Sequence, residues 1–302
     1  MQLLWGIDLG GTKIEGVVLE PGPSYKVLSR LRVPTEADKG YSHILNQIAA
    51  LLNMLATETG EQPAQIGIGT PGSLDPATQL LKNSNTTCLN KQPLKKDLEA
   101  KLGLPVIISN DANCFALAET LLGVVPEVAP AAEVVVGLIL GTGVGSGIVV
   151  NNRVLQGRQG IAGEWGHNFL DESGGPCYCG RVGCVETVLS GPALQRYYAS
   201  LSGEKLTLKE IVARSEAGTD VYAQQTVARL IEFFGRGLAV LVNILDPDAI
   251  VIGGGVGNIP LLYTEGVASV KKYVFNLKPD ILLLKPKLGD SAGVFGAAML
   301  TA

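Results

Sequence analysis

Leu3-Leu4-Trp5-Gly6-Ile7-Asp8-Leu9-Gly10-Gly11-Thr12-Lys13-Ile14-Glu15-Gly16-Val17-Val18-Leu19 lies at the start of the chain, and its reading decides the fold. Leu3 to Ile7 and Ile14 to Leu19 are short apolar runs, so the spacing predicts two strands joined by the polar, glycine-bearing turn Asp8 to Lys13. The same plan recurs over Val134 to Leu140, Gly141 to Gly147 and Ile148 to Val150. The uncharged stretch Val134 to Asn152 has the length of a membrane helix. Gly137, Gly141, Gly143, Gly145 and Gly147, with the surrounding Val and Ile, assign it instead to two buried strands around a turn. A repeated strand, turn and strand implies two related halves.

Around the repeat, strands alternate with helical periodicity. Tyr41 to Thr57 places Ile44, Ile48, Leu51, Leu52 and Leu55 at helical spacing. Ile66 to Gly69 reads as a strand, Pro93 to Leu102 as a helix, and Val106 to Ser109 as a buried strand ending at Asn110 and Asp111. Further helices are expected near Pro192 to Leu201, Thr219 to Leu245 and Leu261 to Phe275. After the Asp246-Pro247-Asp248 turn, the apolar strand Ala249 to Ile252 runs into Gly253, Gly254 and Gly255. This alternation is α/β. Pro126 and Pro130 mark a loop, so Asn113 to Pro130 is expected to be the crossover between domains.

A length of 302 residues suits two domains. With 46% hydrophobic and 17% charged residues, the chain has the material for packed cores and too little charge for disorder. Lys and Arg number 24 against 28 Asp and Glu, a net charge of -4 that offers no basic field to nucleic acid or to an anionic membrane. The first residues lack a basic segment followed by a long apolar one, so the cytoplasm is the expected compartment. Glycine accounts for 38 residues without a collagen period, which points to tight turns or backbone loops held against a ligand. The five cysteines cannot all pair, and three of them fall between 177 and 184, a poor match to a disulfide framework.

The Asp8 to Lys13 turn can aim backbone N–H groups, the Thr12 hydroxyl and Lys13 at a phosphate; taken singly, an ordinary hairpin reads the same way. No G-x-x-x-x-G-K-[ST] run exists, which excludes a P-loop. Gly67, Gly69 and Gly72 satisfy G-x-G-x-x-G, but Pro71 and Pro76 flank its end and no helix opens there, so this is not a dinucleotide fingerprint. Asp111, at the C-terminal edge of a strand, can accept a hydroxyl proton or cap the helix that follows. Cys177, Cys179 and Cys184 with His167 supply three thiolates and an imidazole, the donor set of a closed structural zinc site, and Gly180 and Gly183 permit the turns between them. Buried or redox cysteines are the alternative, which better suits the isolated Cys88 and Cys114.

Asp8-Leu9-Gly10-Gly11-Thr12-Lys13, Gly141-Thr142-Gly143-Val144-Gly145-Ser146-Gly147 and Gly253-Gly254-Gly255-Val256 resemble the first phosphate, second phosphate and adenosine segments of the sugar kinase, hexokinase and actin superfamily. More narrowly, they resemble the ROK family of bacterial sugar kinases and repressors, in order and over essentially the whole chain. Cys177-Tyr178-Cys179-Gly180-Arg181-Val182-Gly183-Cys184-Val185-Glu186 matches that family's CxCGxxGCxE signature. The resemblance implies an α/β fold of two ribonuclease-H-like domains of the actin and hexokinase type with ATP in the cleft between them. The smaller would comprise 1–112 plus 289–302, and the larger, with the zinc, 113–288.

By the same resemblance, Asp8 would order Mg2+ through water, while Gly10, Gly11, Thr12, Lys13, Gly141, Thr142 and Gly143 would hold the phosphates. Gly253, Gly254, Gly255 and Val256 would face the adenosine. Asp111 would be the general base. Asn110, Glu164, His167 and Glu186, with Gly72 and Asn85, would meet the sugar, His167 also ligating zinc with its other ring nitrogen. Alone, Glu164 and Glu186 read as solvated acids and Asn85 as part of a polar loop. Lys82 to Leu94 resembles fructokinases that also accept mannose, although Cys88 and Lys91 stand where that pattern has tryptophan and glycine. The expectation is ATP-dependent phosphorylation of fructose at its 6-hydroxyl, in a homodimer. Glucokinase, N-acetylhexosamine kinase and a non-catalytic sugar sensor or repressor are the alternatives. The repressors carry an N-terminal helix-turn-helix, whereas this chain reaches its first phosphate hairpin by residue 8.

Overall fold

The computed structural model describes residues 2–22 and 24–302. They form two compact units, one built from the chain up to Val128 with Asn152–Ala162 and Lys287–Ala302, the other from Ala129–Asn151 and Gly163–Pro286.

In the first unit the chain runs through β1 (Leu4–Leu9), β2 (Lys13–Glu20), β3 (Lys26–Pro34), α1 (Tyr41–Thr59), β4 (Ile66–Thr70), the short β5 (Ser73–Leu74) and β6 (Leu81–Lys82), α2 (Leu94–Leu102), β7 (Val106–Asn110), α3 (Asp111–Leu121) and α4 (Val125–Val128). The sheet order is β3-β2-β1-β4-β7, with β1, β2 and β3 antiparallel and β4 and β7 continuing parallel to β1. The apolar stripe of α1 is buried as its periodicity predicts, and the helix stops at Gly60, whose φ of 72° suits glycine alone. Ile7 and Leu9 of β1 join that core with Trp5.

The second unit begins with β8 (Val134–Leu140) and β9 (Val144–Val150); β10 (Arg153–Val154) then opens the excursion 152–162 that belongs to the first unit. After it come α5 (Val185–Leu189), α6 (Gly191–Ser202), α7 (Leu208–Glu216), α8 (Val221–Leu245), β11 (Ala249–Gly253), the single turn α9 (Gly254–Gly257), α10 (Glu265–Lys271) and β12 (Leu283–Leu284). Strands β9-β8-β11-β12 repeat the plan of the first sheet: an antiparallel hairpin with parallel strands beside its first member. The Asp248 carboxylate holds the start of β8, accepting from Glu133 N at 2.9 Å and Val134 N at 2.8 Å. The chain ends in α11 (Ala292–Met299), which returns to the first unit.

The seat of α11 explains part of the glycine excess. A Cβ on Gly67 of β4 would lie 1.8 Å from Ala297 O, and one on Gly6 of β1 would lie 2.4 Å from Ala298 N. Against α3, a Cβ on Gly296 would lie 1.8 Å from Cys114 O. Strand and helix backbones touch there with no side chain between them.

Two sequence expectations are corrected, and a third is refined. The expected crossover, Asn113 to Pro130, does contain the passage from the first unit to the second after Val128, but α3 occupies its first part, and every residue from Ala112 to Thr120 is buried. A helix apolar on nearly all sides shows no stripe, and Pro126 falls within the single turn of α4. The helix expected over Leu261 to Phe275 shortens to α10, because Pro260 opens a separate 3-10 turn through Tyr263. The unit boundary also differs from 112/113, since α3, α4 and residues 152–162 pack with the first sheet's unit. Helix α7, not anticipated, starts with a full capping box in which Thr207 and Glu210 satisfy each other's backbone N–H groups. Among the described residues no helix is long and apolar enough to cross a membrane.

Because the helix has no room to retreat from β4, Gly67→Ala should lower unfolding free energy by about 3 kcal/mol in a urea titration. Gly103→Ala, at a φ of 71° but with open space around it, should cost only about 1 kcal/mol from backbone strain.

Candidate functional site

In the first unit, the Asp8 to Lys13 turn is closed by Gly10 N donating to Lys13 O at 3.0 Å. Buried Thr35 anchors it from the end of β3: its N–H donates to Thr12 O at 3.0 Å and its hydroxyl to Gly10 O at 2.7 Å. Gly11 and Thr12 are left exposed at the tip. Asp8 sits behind this turn between two glycines. A Cβ on Gly69 would be 3.4 Å from its carboxylate and one on Gly293 would be 3.0 Å away. Burial, then the charges of Asp111 and Glu15, push Asp8 up to about 6, against the opposing pull of Lys13.

Glu15 lies directly across from Asp8 in the β1/β2 register and from Arg32 in the β2/β3 register. Two carboxylates facing each other on neighbouring strands repel. Three cations answer the buried Glu15: Arg32 Nε at 3.0 Å, Lys13 Nζ at 3.6 Å, and Arg30, which also donates to Ser291 Oγ at the start of α11. Sequence reasoning missed Glu15, Arg30 and Thr35. The available signal was a single acid in the otherwise apolar run Ile14 to Leu19.

At the edge of the same sheet, Asn110 caps α3. Its Oδ1 accepts from Ala112 N at 2.8 Å, and its Nδ2 donates to Gly72 O at 3.2 Å. Gly72 has φ 85°, and a Cβ there would meet Lys82 O at 2.4 Å. Capping therefore falls to Asn110, while Asp111 follows as the first residue of α3 with its side chain exposed, Oδ1 accepting from Ala112 N at 2.8 Å. Asn85 is exposed on a loop clamped by Asn90, which both donates to Ser84 O and accepts from Ser84 N at 2.8 Å. On that loop Lys91 has φ 65°, a left-handed conformation suited to the glycine of the fructokinase pattern.

The second unit contains a cavity of about 820 Å³, within the usual range for a small-molecule site. Gly141, Thr142, Gly255 and Val256 line it; α7 supplies an apolar wall with Leu208 and Val212, and Gln195, Lys209, Glu216 and Asn258 add polar groups. A Cβ on Gly141 or Gly255 would have nothing within 4 Å, so protein packing does not require glycine at either. Backbone bare toward a cavity is what close approach of a ligand needs. Gly254 has a different reason: its φ is 85°, and a Cβ would lie 2.3 Å from Leu140 O. Gly253 ends β11 opposite Ile139. Gly143 is pressed by Glu186, whose Oε2 would lie 2.5 Å from a Cβ there and accepts from Val144 N at 2.9 Å.

Glu164 is half-buried and precedes the short turn Trp165–His167, which is held by the Trp165 indole donating to Gly237 O of α8 at 3.2 Å. The donor atoms of His167, Cys177, Cys179 and Cys184 all lie within 4.8 Å of one another. Cys179 Sγ to Cys184 Sγ is 3.6 Å, and Cys177 Sγ to His167 Nδ1 is 3.6 Å. A tetrahedron with Zn–S of about 2.3 Å and Zn–N of about 2.05 Å has S–S edges near 3.8 Å and S–N edges near 3.6 Å. The sulfur separation is far beyond a disulfide's ~2.05 Å. Burial and the neighbouring thiols push Cys184 up to about 12, a penalty that a divalent cation at the centre removes. These residues fit zinc. His167 Nε2, expected to point at sugar, faces the Tyr178 hydroxyl at 2.9 Å.

A family model described as "ROK family" matches residues 4–302. The chain belongs to the ROK family. It is 37% identical to an N-acetyl-D-glucosamine kinase of Aliivibrio salmonicida, with 99% of each chain covered. A ROK hexokinase from Thermus thermophilus superposes with a TM-score of 0.87 at 34% identity, covering 99% of this chain and 97% of that one. A ROK glucokinase from Streptomyces griseus in complex with glucose and AMPPNP gives a TM-score of 0.75 at 30% identity, covering 99% and 98%. The fold is the actin and hexokinase-like α/β fold.

In this ROK protein Asp8 holds its proton up to about pH 6 rather than 3.8, so between those values the folded state binds more protons than the unfolded state. The ligand-free protein is therefore destabilised by this group as pH rises from about 4 to about 6, and the cost is complete above that. Asp8→Asn removes the charge and should be more stable than the parent by about 2 kcal/mol near pH 7, with no advantage near pH 4. Urea unfolding of both proteins across that range checks it; a difference independent of pH would refute the titration.

Proposed function

We propose that this ROK protein is an ATP-dependent sugar kinase acting on N-acetyl-D-glucosamine, with the γ-phosphate passing to the 6-hydroxyl. The observation that carries the choice of sugar is the 37% identity, over 99% of both chains, to an N-acetyl-D-glucosamine kinase. Fructose, the first expectation from Lys82 to Leu94, gives way to the N-acetylhexosamine alternative. Within that segment, Cys88 and Lys91 already depart from the fructokinase pattern.

Phosphoryl transfer asks a protein for positioning, charge neutralisation and a proton acceptor. The 820 Å³ cavity receives the adenosine, with Gly255 and Val256 along one side and Gly253 and Gly254 leading into them from the end of β11. Backbone N–H groups of the Gly141 to Gly143 and Gly10 to Lys13 turns, with Thr12 and Lys13, take the phosphate oxygens. Asp8, a carboxyl raised to about 6 by burial and neighbouring acids, would be the carboxylate for Mg2+, which when bound would neutralise the phosphates. Asp111 accepts the proton of the attacking hydroxyl from its exposed position at the first turn of α3. Asn110, Glu164, His167 and Glu186, with Gly72 and Asn85, orient the sugar. Glu186 is suited to this because its bond to Val144 N fixes it relative to the second phosphate turn.

His167, Cys177, Cys179 and Cys184 hold zinc, which when bound ties the loop between His167 and Glu186 into one rigid piece. His167 Nδ1 faces the thiols, while Nε2 meets the Tyr178 hydroxyl at 2.9 Å, a pair through which sugar hydroxyls can be reached.

ADP release should be fastest with N-acetyl-D-glucosamine in a comparison with fructose, mannose, glucose and N-acetylmannosamine; preference for fructose would overturn the choice of sugar, and no turnover with any would overturn the kinase. Asp111→Asn should cut kcat by at least about 10²-fold while sugar still binds. Metal analysis of the purified protein should find about one zinc per chain, and its removal by a chelator should raise the KM for sugar more than that for ATP.

A further inference from the structure

Glu119 is fully buried, and among the described residues its carboxylate forms no ion pair; it accepts backbone N–H groups instead. Oε2 accepts from Val124 N and from Lys287 N, each at 3.0 Å, and Oε1 accepts from Leu288 N at 2.8 Å. Val124 lies just before the chain first leaves this unit after Val128, and Lys287 is the residue at which it finally returns. One side chain therefore grips the first exit and the last return. Gly123 is shaped to this: a Cβ there would lie 2.0 Å from Oε2. Lys287 and Glu127 join the same two segments by an ion pair at the surface.

Glu119 belongs to α3, the helix whose first residue is Asp111. Eight residues separate the two, about 12 Å along the axis. The helix between them is packed closely on α11, where a Cβ on Gly296 would lie 1.8 Å from Cys114 O, and α11 itself begins a few residues after the return. A displacement at the Asp111 end is thus delivered to both segments, because three hydrogen bonds to one carboxylate must move together.

We propose that Glu119 is a positioning residue through which sugar at the Asp111 end of α3 acts on the exit and return segments, so that sugar and nucleotide bind cooperatively. This rests on the reading that Asp111 meets the sugar. A glutamine at 119 retains one acceptor oxygen and opposes an amide N–H₂ to backbone donors, so it breaks one or two of the three bonds.

The test is calorimetric titration of the full chain with MgADP, with and without saturating sugar, using whichever hexose of the panel turns over. In the parent protein sugar should tighten MgADP at least about 5-fold, and in Glu119→Gln the factor should fall below about 2-fold while the Kd of sugar alone stays within a factor of about 2. A parent protein that binds both ligands without coupling, or a Glu119→Gln protein that keeps the full factor, overturns the proposal and leaves the kinase reading standing. Failure of every sugar to bind overturns both. Should Glu119→Gln not fold, hydrogen exchange on the unaltered protein decides: peptides covering 122–128 and 286–289 should slow together on adding sugar, and a response in only one, or in neither, overturns it.

Discussion

The contact on which the rest of the first unit depends is between two backbones. Helix α11 can lie on β1 and β4 only because Gly6 and Gly67 present no side chain, and α3 can lie on α11 only because of Gly296. This places Gly293 over the Asp8 carboxylate and Ser291 within reach of Arg30. The buried charges follow from the same geometry. Asp8 and Glu15 stand side by side in the sheet, the arginines that answer Glu15 come from β3 at one flank, and among the described residues no cation forms an ion pair with Asp8. A carboxylate shielded from water, beside another carboxylate and short of positive charge, is the natural partner of an exchangeable cation.

The second unit reaches a related result by different means. Its hairpin is tied at Gly141 and Val144 to residues that follow the thiol cluster, Gly191 and Glu186. The segment bearing Glu164 and His167 rests on α8 through the Trp165 indole. Gly237, whose carbonyl receives that indole, faces the ring so closely that a Cβ would lie 3.1 Å from it. The long helix is therefore a support for the loop as well as part of the core, and the thiol cluster sits where this loop turns back on itself.

What was legible in the sequence was local. Both hairpins announce themselves as apolar runs around glycine turns, and the spacing of Cys177, Cys179 and Cys184 was sufficient to collect them with His167. The groups that escaped notice have partners far along the chain: Glu119 and Lys287 are 168 residues apart, and Thr35 meets a turn 25 residues before it. Nothing near Glu119 distinguishes a carboxylate that collects backbone N–H groups from a solvated one. The helix after Asn110 was expected, but its extent was not legible, because burial on every side erases the periodicity that marks out a helix. The fructokinase resemblance of Lys82 to Leu94 was a weak guide, because it rests on one short loop in which Cys88 and Lys91 depart from the pattern.

The return of α11 also bears on how the protein is made. The second unit has all its residues by Pro286, while the first lacks the helix against Gly6, Gly67 and Cys114 until residues 292–299 have been synthesised. Emergence from the ribosome and completion of the cores thus run in opposite orders. The strands that appear first must wait, with one face of the sheet uncovered, for the helix that appears last.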